Sequence, residues 1–338
     1  MMIRFLYSRD VGIQSTYGNR QIGVRLHAHL QRRFGEVEFV DLADAEHDVS
    51  TLGDEDLVVG HPGAALNRVR EARGDRRTLV VVPIPPWNEM RVLTQRWRHI
   101  LFIGGRQWFE DLCEAHRGEL PGFDALSWHP MCVDLSLFRR VKRRFNPPGQ
   151  RRFLYVGRFD QARKNILRLI EAFAGLNDSL TIVAPTLLPE VGTPDELAAR
   201  DAVKAGRYPN IRLQPFTLNA APEFIDVVRQ SDVYIHPASF DSQATSILES
   251  IAYGLVPVVT RESGFEYSFG GFLNVNDIDA CRRHIRDVQQ APGAVLEGAA
   301  CAARERLGSD HTWAGLCGAV DRAIDHLMRE APSHPCIR

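Results

Sequence analysis

Two carboxylates, Asp241 and Glu249, flank a run of small and polar residues, Ser242-Gln243-Ala244-Thr245-Ser246. An apolar segment, Asp232-Val233-Tyr234-Ile235-His236-Pro237, leads into this run, and a helical pattern continues from it as far as Gly254. A carboxylate accepts the paired hydrogen bonds of a vicinal diol. The first turn of a helix, read here as Ser242 to Ser246, offers unpaired N–H groups and the positive end of a dipole to an anion. Hydroxyls at Thr245 and Ser246 add to that turn. The set suits a ligand with a hydroxylated part and an anionic part, as in a nucleotide sugar. The same residues also allow a plainer role, with Asp241 as a helix N-cap and Glu249 as a solvated helix residue.

A second group lies about 80 residues earlier, in Phe153-Leu154-Tyr155-Val156-Gly157-Arg158-Phe159-Asp160-Gln161-Ala162-Arg163-Lys164-Asn165. A strand ends at Gly157, where the missing side chain lets a ligand approach the backbone. Arg158 and Lys164 flank the loop before a helix with the apolar rhythm Ile166, Leu169, Ile170, Phe173. Two fixed cations at a strand end are what a departing diphosphate needs, because they stabilise the charge that develops on it without a metal. Cations at a helix start are also ordinary surface residues.

These segments need a frame that brings strand ends together. Short apolar runs alternate with helical patterns along the whole chain, the mark of parallel α/β architecture. In the first half, strands are expected near Ile3–Ser8, Val37–Asp41, Asp56–Gly60, Thr78–Val82 and His99–Ile103, with helices near Arg20–Phe34, Ala64–Arg73 and Gln107–Arg117. The charged stretch Arg139–Gln150 ends in Asn146-Pro147-Pro148-Gly149, which continues neither a helix nor a central strand. Beyond it the pattern restarts, with strands near Arg152–Val156, Leu180–Ala184, Ile211–Pro215, Asp232–His236 and Val256–Thr260, and it closes in a helix over His311–Glu330. The expected fold class is α/β, with two doubly wound Rossmann-like domains facing a cleft. Ligands of such sheets bind beyond the C-terminal ends of the strands.

At 338 residues the chain has room for two full cores. Its formal charge of −1 gives no sign of a nucleic-acid partner. The densest cationic run, Arg139-Arg140-Val141-Lys142-Arg143-Arg144, reads as a solvated connector or as a contact for an anionic surface. Six scattered cysteines with no Cys-x-x-Cys pair argue against a zinc site or a disulfide framework and fit a reducing cytoplasm. No run approaches the roughly 20 apolar residues of a membrane span, so a cytoplasmic protein is expected, at most peripheral at a membrane. Only three of the 41 basic residues are lysines, which makes the place of each more telling.

The two chemical segments together resemble the donor half of the retaining GT-B glycosyltransferases of the family-4 type (glycosyl transferases group 1). The resemblance rests on Val156-Gly157-Arg158, Lys164, Pro237-Ala238-Ser239, Asp241, Glu249 and Gly254-Leu255-Val256-Pro257-Val258-Val259 in that order. Trp128 to Phe138 and Gly271-Phe272-Leu273 with Asp277 add two further lines of likeness. The likeness is good over 128–330 and only in outline before that. It implies an acceptor-side domain over 1–145 and a donor domain over 151–310. It also implies a C-terminal helix over 311–330 that packs back toward the first domain.

Carried over, Arg158 and Lys164 would bind the diphosphate, with Gly157 beside them, and Glu249 would hold the ribose. Asp241 would take the place of a glutamate that meets the sugar hydroxyls, so Asp241, Arg158 and Lys164 are the catalytic candidates. The backbone of Ser242, Gln243, Ala244, Thr245 and Ser246 would line the phosphates. No cofactor or metal is implied, only a nucleoside-diphosphate sugar as donor substrate. The acceptor stays open among saccharide, small molecule, lipid-linked sugar, protein and modified nucleic acid.

Asp241 is one methylene shorter than the usual glutamate, and Pro83-Ile84-Pro85-Pro86-Trp87 stands where many members carry a histidine. Those departures keep a second class in view, a catalytically weak sugar-nucleotide-binding subunit. A dinucleotide-dependent oxidoreductase would need a Gly-x-Gly-x-x-Gly after the first strand, which is missing. On the acceptor side, Gly12 and Tyr17 in the loop after the first strand, Arg20 at the next helix start and His61 after a strand are candidates. Each of them has an ordinary structural alternative. Trp87, Trp97, Trp108 and Phe109 are either core or a stacking surface for a sugar ring.

Overall fold

Most strands are short apolar runs buried along nearly their whole length, as expected of strands covered on both faces. The edge strands Glu38–Asp41, Leu126–His129 and Ile211–Pro215 are partly exposed. The computed structural model describes residues 2–7, 17–84, 87–115, 126–142, 144–158, 162–184, 193–215 and 222–329, without the side chains of 17–21, 87, 88 and 90. Chain contacts divide it into two units, Met1–Cys132 with Trp313–Arg338, and Val133–Thr312. The Asn146-Pro147-Pro148-Gly149 segment therefore belongs to the second unit.

In the first unit the strands are β1 (Ile3–Tyr7), β2 (Glu38–Asp41), β3 (Leu57–Gly60), β4 (Thr78–Pro83), β5 (His99–Ile103) and β6 (Leu126–His129). They form one sheet in the order β2-β1-β3-β4-β5-β6, with every pairing parallel. Helices α1 (Tyr17–Phe34), α2 (Ala64–Arg73), α3 (Trp87–Arg96) and α4 (Arg106–Ala115) alternate with the strands. The last helix of the chain joins this unit. Its Asp321 accepts hydrogen bonds from His29 Nε2 (2.8 Å) and an Arg33 guanidinium nitrogen (2.6 Å), both on α1.

The second unit contains β7 (Arg152–Val156), α5 (Ile166–Ala174), β8 (Ser179–Ala184), α6 (Pro194–Lys204), β9 (Ile211–Pro215), α7 (Pro222–Gln230), β10 (Val233–His236), α8 (Thr245–Tyr253) and β11 (Val256–Val259). Helices α9 (Ile278–Gln290) and α10 (Gly293–Asp310) come next, and α11 (Trp313–Arg329) is the helix that returns to the first unit. The sheet order is β11-β10-β7-β8-β9, again all parallel. The residues expected to make one apolar face of α5, Ile166, Leu169, Ile170 and Phe173, are all buried against β7, β8 and β9. Each such side chain contributes about 1.5–3 kcal/mol when fully buried.

Strand register brings the two chemical segments together. β10 lies between β11 and β7, with Val233 opposite Phe153 and His236 opposite Val259. The segments that leave β7 at Gly157 and β10 at Pro237 therefore emerge side by side at one edge of the sheet. Two regular elements go beyond the sequence expectations. β6 is an edge strand in which Ser127 and His129 interrupt the apolar pattern, and α3 begins directly after the Pro85-Pro86 pair. Proline before a helix costs nothing, because the first N–H groups lack intrahelical partners anyway.

Candidate functional site

Lys164 and Asp241 meet at the edge where β7 and β10 end. Lys164 closes a 3-10 turn, Ala162–Lys164. The next residue, Asn165, takes the left-handed conformation (φ 52°), and its Nδ2 donates to the Pro237 carbonyl at 2.9 Å. That bond fastens the lysine turn to the end of β10. From the other side, the Ser239 N–H donates to the Arg163 carbonyl (2.8 Å), and the Asp241 N–H donates to the Glu262 carbonyl (2.9 Å). Between these anchors the Lys164 ammonium donates to Asp241 Oδ2, and both residues are almost fully buried.

Two further groups reach the same oxygen. His236 Nε2 lies 3.3 Å from it and a guanidinium nitrogen of Arg163 lies 3.6 Å away. Burial pushes the Asp241 carboxyl upward. The hydrogen bond from His236 and the charge of Lys164 outweigh that push and hold it well below the usual carboxylate range. Burial also holds Lys164 below its ordinary value, against the pull of Asp241. His236, fully enclosed, is held down by the same desolvation to about 4, so its ring is neutral near pH 7.

Asp241 is not a helix cap. Helix α8 begins at Thr245, its N-cap position is Ala244, and no side chain caps it. The expected helical turn over Ser242–Ser246 therefore starts later, because Gln243 has φ 108°, a left-handed value that breaks the helical path. Gln243 is buried and its amide donates to the Gly264 carbonyl at 3.2 Å. Glu249 is no solvated helix residue either. It is buried one turn into α8, and desolvation lifts its carboxyl to about 8. The helix closes at Gly254 (φ 99°), where a Cβ would come within 2.9 Å of the Lys142 carbonyl oxygen.

Gly157 has a local reason to lack a side chain. A Cβ there would come within 2.5 Å of the Tyr155 hydroxyl, which donates to the Arg158 carbonyl at 3.2 Å. Arg158 itself is half-buried at the start of the loop. The cationic run 139–144 is not wholly solvated, because Lys142 is buried against Asp232. Asp277 caps α9 by accepting from the Ala280 N–H at 2.9 Å.

Three residues of this edge are not evident from the sequence pattern. Among the described residues, Arg163 and His236 join Lys164 around Asp241. Tyr234 stands two residues before His236 on β10, and its hydroxyl lies 3.3 Å from His236 Nδ1 and 2.7 Å from Ser246 Oγ. The available signal was a pair of polar rings at alternate positions in an otherwise apolar central strand, where each polar atom needs a partner.

On the first unit, Gly12 lies outside the described residues, and Tyr17 and Arg20 sit on the first turn of α1 with side chains outside them. His61 is half-buried at the end of β3, its Nδ1 donating to the Pro62 carbonyl (3.1 Å) and its ring edge-on to Tyr7. Burial holds His61 below its ordinary value, so Nε2 carries the lone pair. Trp97 is core, and Trp108 and Phe109 pack against the same apolar cluster, so these three serve the core rather than a sugar-stacking surface. The Trp87 side chain lies outside the described residues.

The site can thus offer two buried carboxylates, a lysine, flanking arginines and an uncapped helix start to an anionic, hydroxylated ligand. Residues 150–290 match the family described as Glycosyl transferases group 1. No curated protein matches the chain by sequence. Among solved structures, a sucrose-phosphate synthase from Thermosynechococcus elongatus is similar at TM-score 0.72 and 14% identity, covering 97% of this chain and 99% of that one. A glycosyltransferase from Rickettsia africae is similar at TM-score 0.70 and 12% identity (98% and 99% covered). A trehalose-6-phosphate structure from E. coli bound with UDP-2-fluoro glucose is similar at 0.68 and 12% (98% and 100% covered). At these identities the likeness establishes the fold, two parallel-sheet α/β domains of the GT-B kind. Among the described residues no helix is long and apolar enough to cross a membrane.

Proposed function

Proceeding from a chain of the GT-B fold whose residues 150–290 match the group 1 glycosyltransferases, we propose that this enzyme moves a sugar from a nucleoside diphosphate to an acceptor hydroxyl with retention and without a metal. The observation that carries the reading is the buried meeting of Lys164 with Asp241 at the C-terminal edge of β7 and β10, beside the uncapped start of α8. Lys164 and Arg158 take the diphosphate, with Gly157 and the backbone of Ser242 to Ser246 around it. Glu249 takes the ribose diol. Asp241 meets the hydroxyls of the donor sugar near the reacting carbon.

In the transfer, the bond between the anomeric carbon and the phosphate oxygen breaks while the acceptor oxygen bonds to the same face. The acceptor proton passes to the departing phosphate. Negative charge grows on that phosphate, and the ammonium of Lys164 offsets it where little water competes. In the resting protein the same ammonium is neutralised by Asp241, so an arriving diphosphate finds a cation already in place and desolvated. The nucleotide-sugar ligand of the E. coli relative supports the donor class.

The test is a melting-shift panel of UDP-glucose, GDP-mannose and ADP-glucose, followed by assay of released nucleoside diphosphate. A binder gains stability as the logarithm of ligand over its dissociation constant, about 2.7 kcal/mol at a hundredfold excess. Stabilisation with release is the expected result. Stabilisation with no release in the presence of a range of sugar acceptors would favour the sugar-nucleotide-binding subunit, and no shift with any donor would sink the proposal.

A further inference from the structure

The Asp241 carboxylate is held by a lysine and an arginine on one segment, and by a third group that cannot itself reach a ligand. His236 is fully buried on β10, and its ring stacks on Tyr155 (5.8 Å between centroids, 22°) and on Tyr234 (6.0 Å, 19°). An ionised carboxylate only accepts, so the contact at Asp241 Oδ2 fixes the proton of His236 on Nε2. The neutral ring then has a bare Nδ1, which accepts.

Tyr234 Oη is 3.3 Å from that Nδ1, 3.1 Å from the Val156 carbonyl and 2.7 Å from Ser246 Oγ. A phenol has one proton to give and can accept another group's proton. Two of these neighbours, Nδ1 and the carbonyl that ends β7, only accept, while the Ser246 hydroxyl can either accept from Tyr234 or donate to it. Burial above all, together with the charge of Asp241, disfavours ionisation of the phenol. It remains a hydroxyl, able to pass a hydrogen bond along.

We propose that His236 is a positioning residue for Asp241, holding Oδ2 at the Lys164 ammonium and linking that carboxylate through Tyr234 to Ser246 on the first turn of α8. The inference rests on the reading of Asp241 as the group that meets the donor sugar. Aspartate is a short side chain for that task, and an ammonium alone does not fix its rotation. A directional N–H from a ring stacked on two tyrosines does. The first turn of α8 and the carboxylate then form one hydrogen-bonded unit, so the phosphate-facing and sugar-facing parts of the site are held in a common register.

The experiment compares His236→Leu, His236→Gln, Tyr234→Phe and Asp241→Asn, each assayed with the sugar nucleotide that gives the largest melting shift. His236→Leu should leave donor affinity within about threefold and lower turnover about 10- to 100-fold, the scale of a hydrogen bond to a charged group. His236→Gln offers an amide N–H toward the same oxygen and should recover about tenfold of that loss. Tyr234→Phe should give a smaller loss of the same kind. In the unmodified protein, long-range 15N–1H spectra should show His236 protonated on Nε2 and bare on Nδ1, a readout that needs no variant to fold. Equal losses for Leu and Gln at matched melting temperatures, unchanged turnover in His236→Leu, or a proton on Nδ1 would each overturn the proposal. Failure of the underlying reading looks different, because Asp241→Asn would then keep the turnover of the unmodified protein.

Discussion

Strand β10 has a buried lysine–aspartate pair at each end, and the two pairs are built from different materials. At its start, Asp232 is fully enclosed and meets four groups, two at each oxygen, three as hydrogen bonds and one as an ion pair. Oδ1 takes the Asn146 N–H (2.8 Å) and the Lys142 ammonium (3.0 Å), while Oδ2 takes Asn146 Nδ2 (2.7 Å) and the Arg152 N–H (2.9 Å). Two of these donors are main chain, and Lys142 also donates to the Arg229 carbonyl. At its end, among the described residues, Asp241 is gripped by side chains, with Lys164, His236 and Arg163 converging on one oxygen.

Main-chain donors cannot turn away without unmaking the strand, whereas side chains can exchange one anion for another. The Asp232 pair therefore reads as a clasp that ties Lys142 and Asn146 to β7 and β10, and the Asp241 pair as a site that can open to a ligand. Two of the chain's three lysines sit in these pairs, one structural and one facing the proposed ligand.

The contrast between the two ends breaks most easily at Asp232. Asp232→Ala leaves a buried ammonium and several unpaired donors, and should cost about 3–5 kcal/mol of unfolding free energy. Denaturant titration measures it, and turnover per folded molecule should be unchanged. A loss below about 1 kcal/mol would mean that the clasp is no more than a surface pair, and a loss of turnover at full stability would place Asp232 in the chemistry.

Lys164→Ala should show the reverse pattern. Arg163 and His236 remain beside Asp241, so the fold loses less than in Asp232→Ala. Turnover should fall by about 10²- to 10³-fold, the usual effect of removing one donor that faces developing charge. Steady-state assay beside a melting curve separates the two effects. A variant that unfolds as readily as Asp232→Ala, with turnover intact in the folded fraction, would make the two ends of β10 alike.

How much of this contrast lay in the sequence depends on distance along the chain. The apolar runs of the parallel strands stood out, because a strand buried on both faces has little room for polar residues. β6 did not, because its polar alternation on an edge resembles a loop, and α3 was hidden behind prolines that read as a break. Lys164 and Asp241 were each legible within their own segments. Their pairing was not, since it depends on β10 lying beside β7 and on Asn165 reaching Pro237. The start of α8 was misplaced by three residues because nothing in the identity of Gln243 announces φ 108°. His236 reads from the sequence simply as part of a strand, although a polar ring two residues after another in a central strand already demands partners.

Glu249 sharpens the contrast from a third direction, since burial is what shifts its carboxyl. Desolvation raises its carboxyl from an ordinary 4.5 to about 8. The folded protein then keeps a proton that the unfolded chain gives up, so this group's contribution to stability is complete below about pH 4.5 and is lost as pH rises through about 8. Glu249→Gln keeps the shape and cannot ionise. Its melting temperature relative to the parent protein should therefore climb between pH 5 and pH 9, with most of the gain reached by about pH 8.

Ligand binding should run the other way. A ribose diol donates to the carboxylate, so nucleoside diphosphate affinity should rise from pH 7 to pH 9 in the parent protein and stay weak and nearly flat in Glu249→Gln. If the two proteins melt with a constant difference across that range, Glu249 is ionised in the folded state, and it then belongs with Asp241 as a second paired anion.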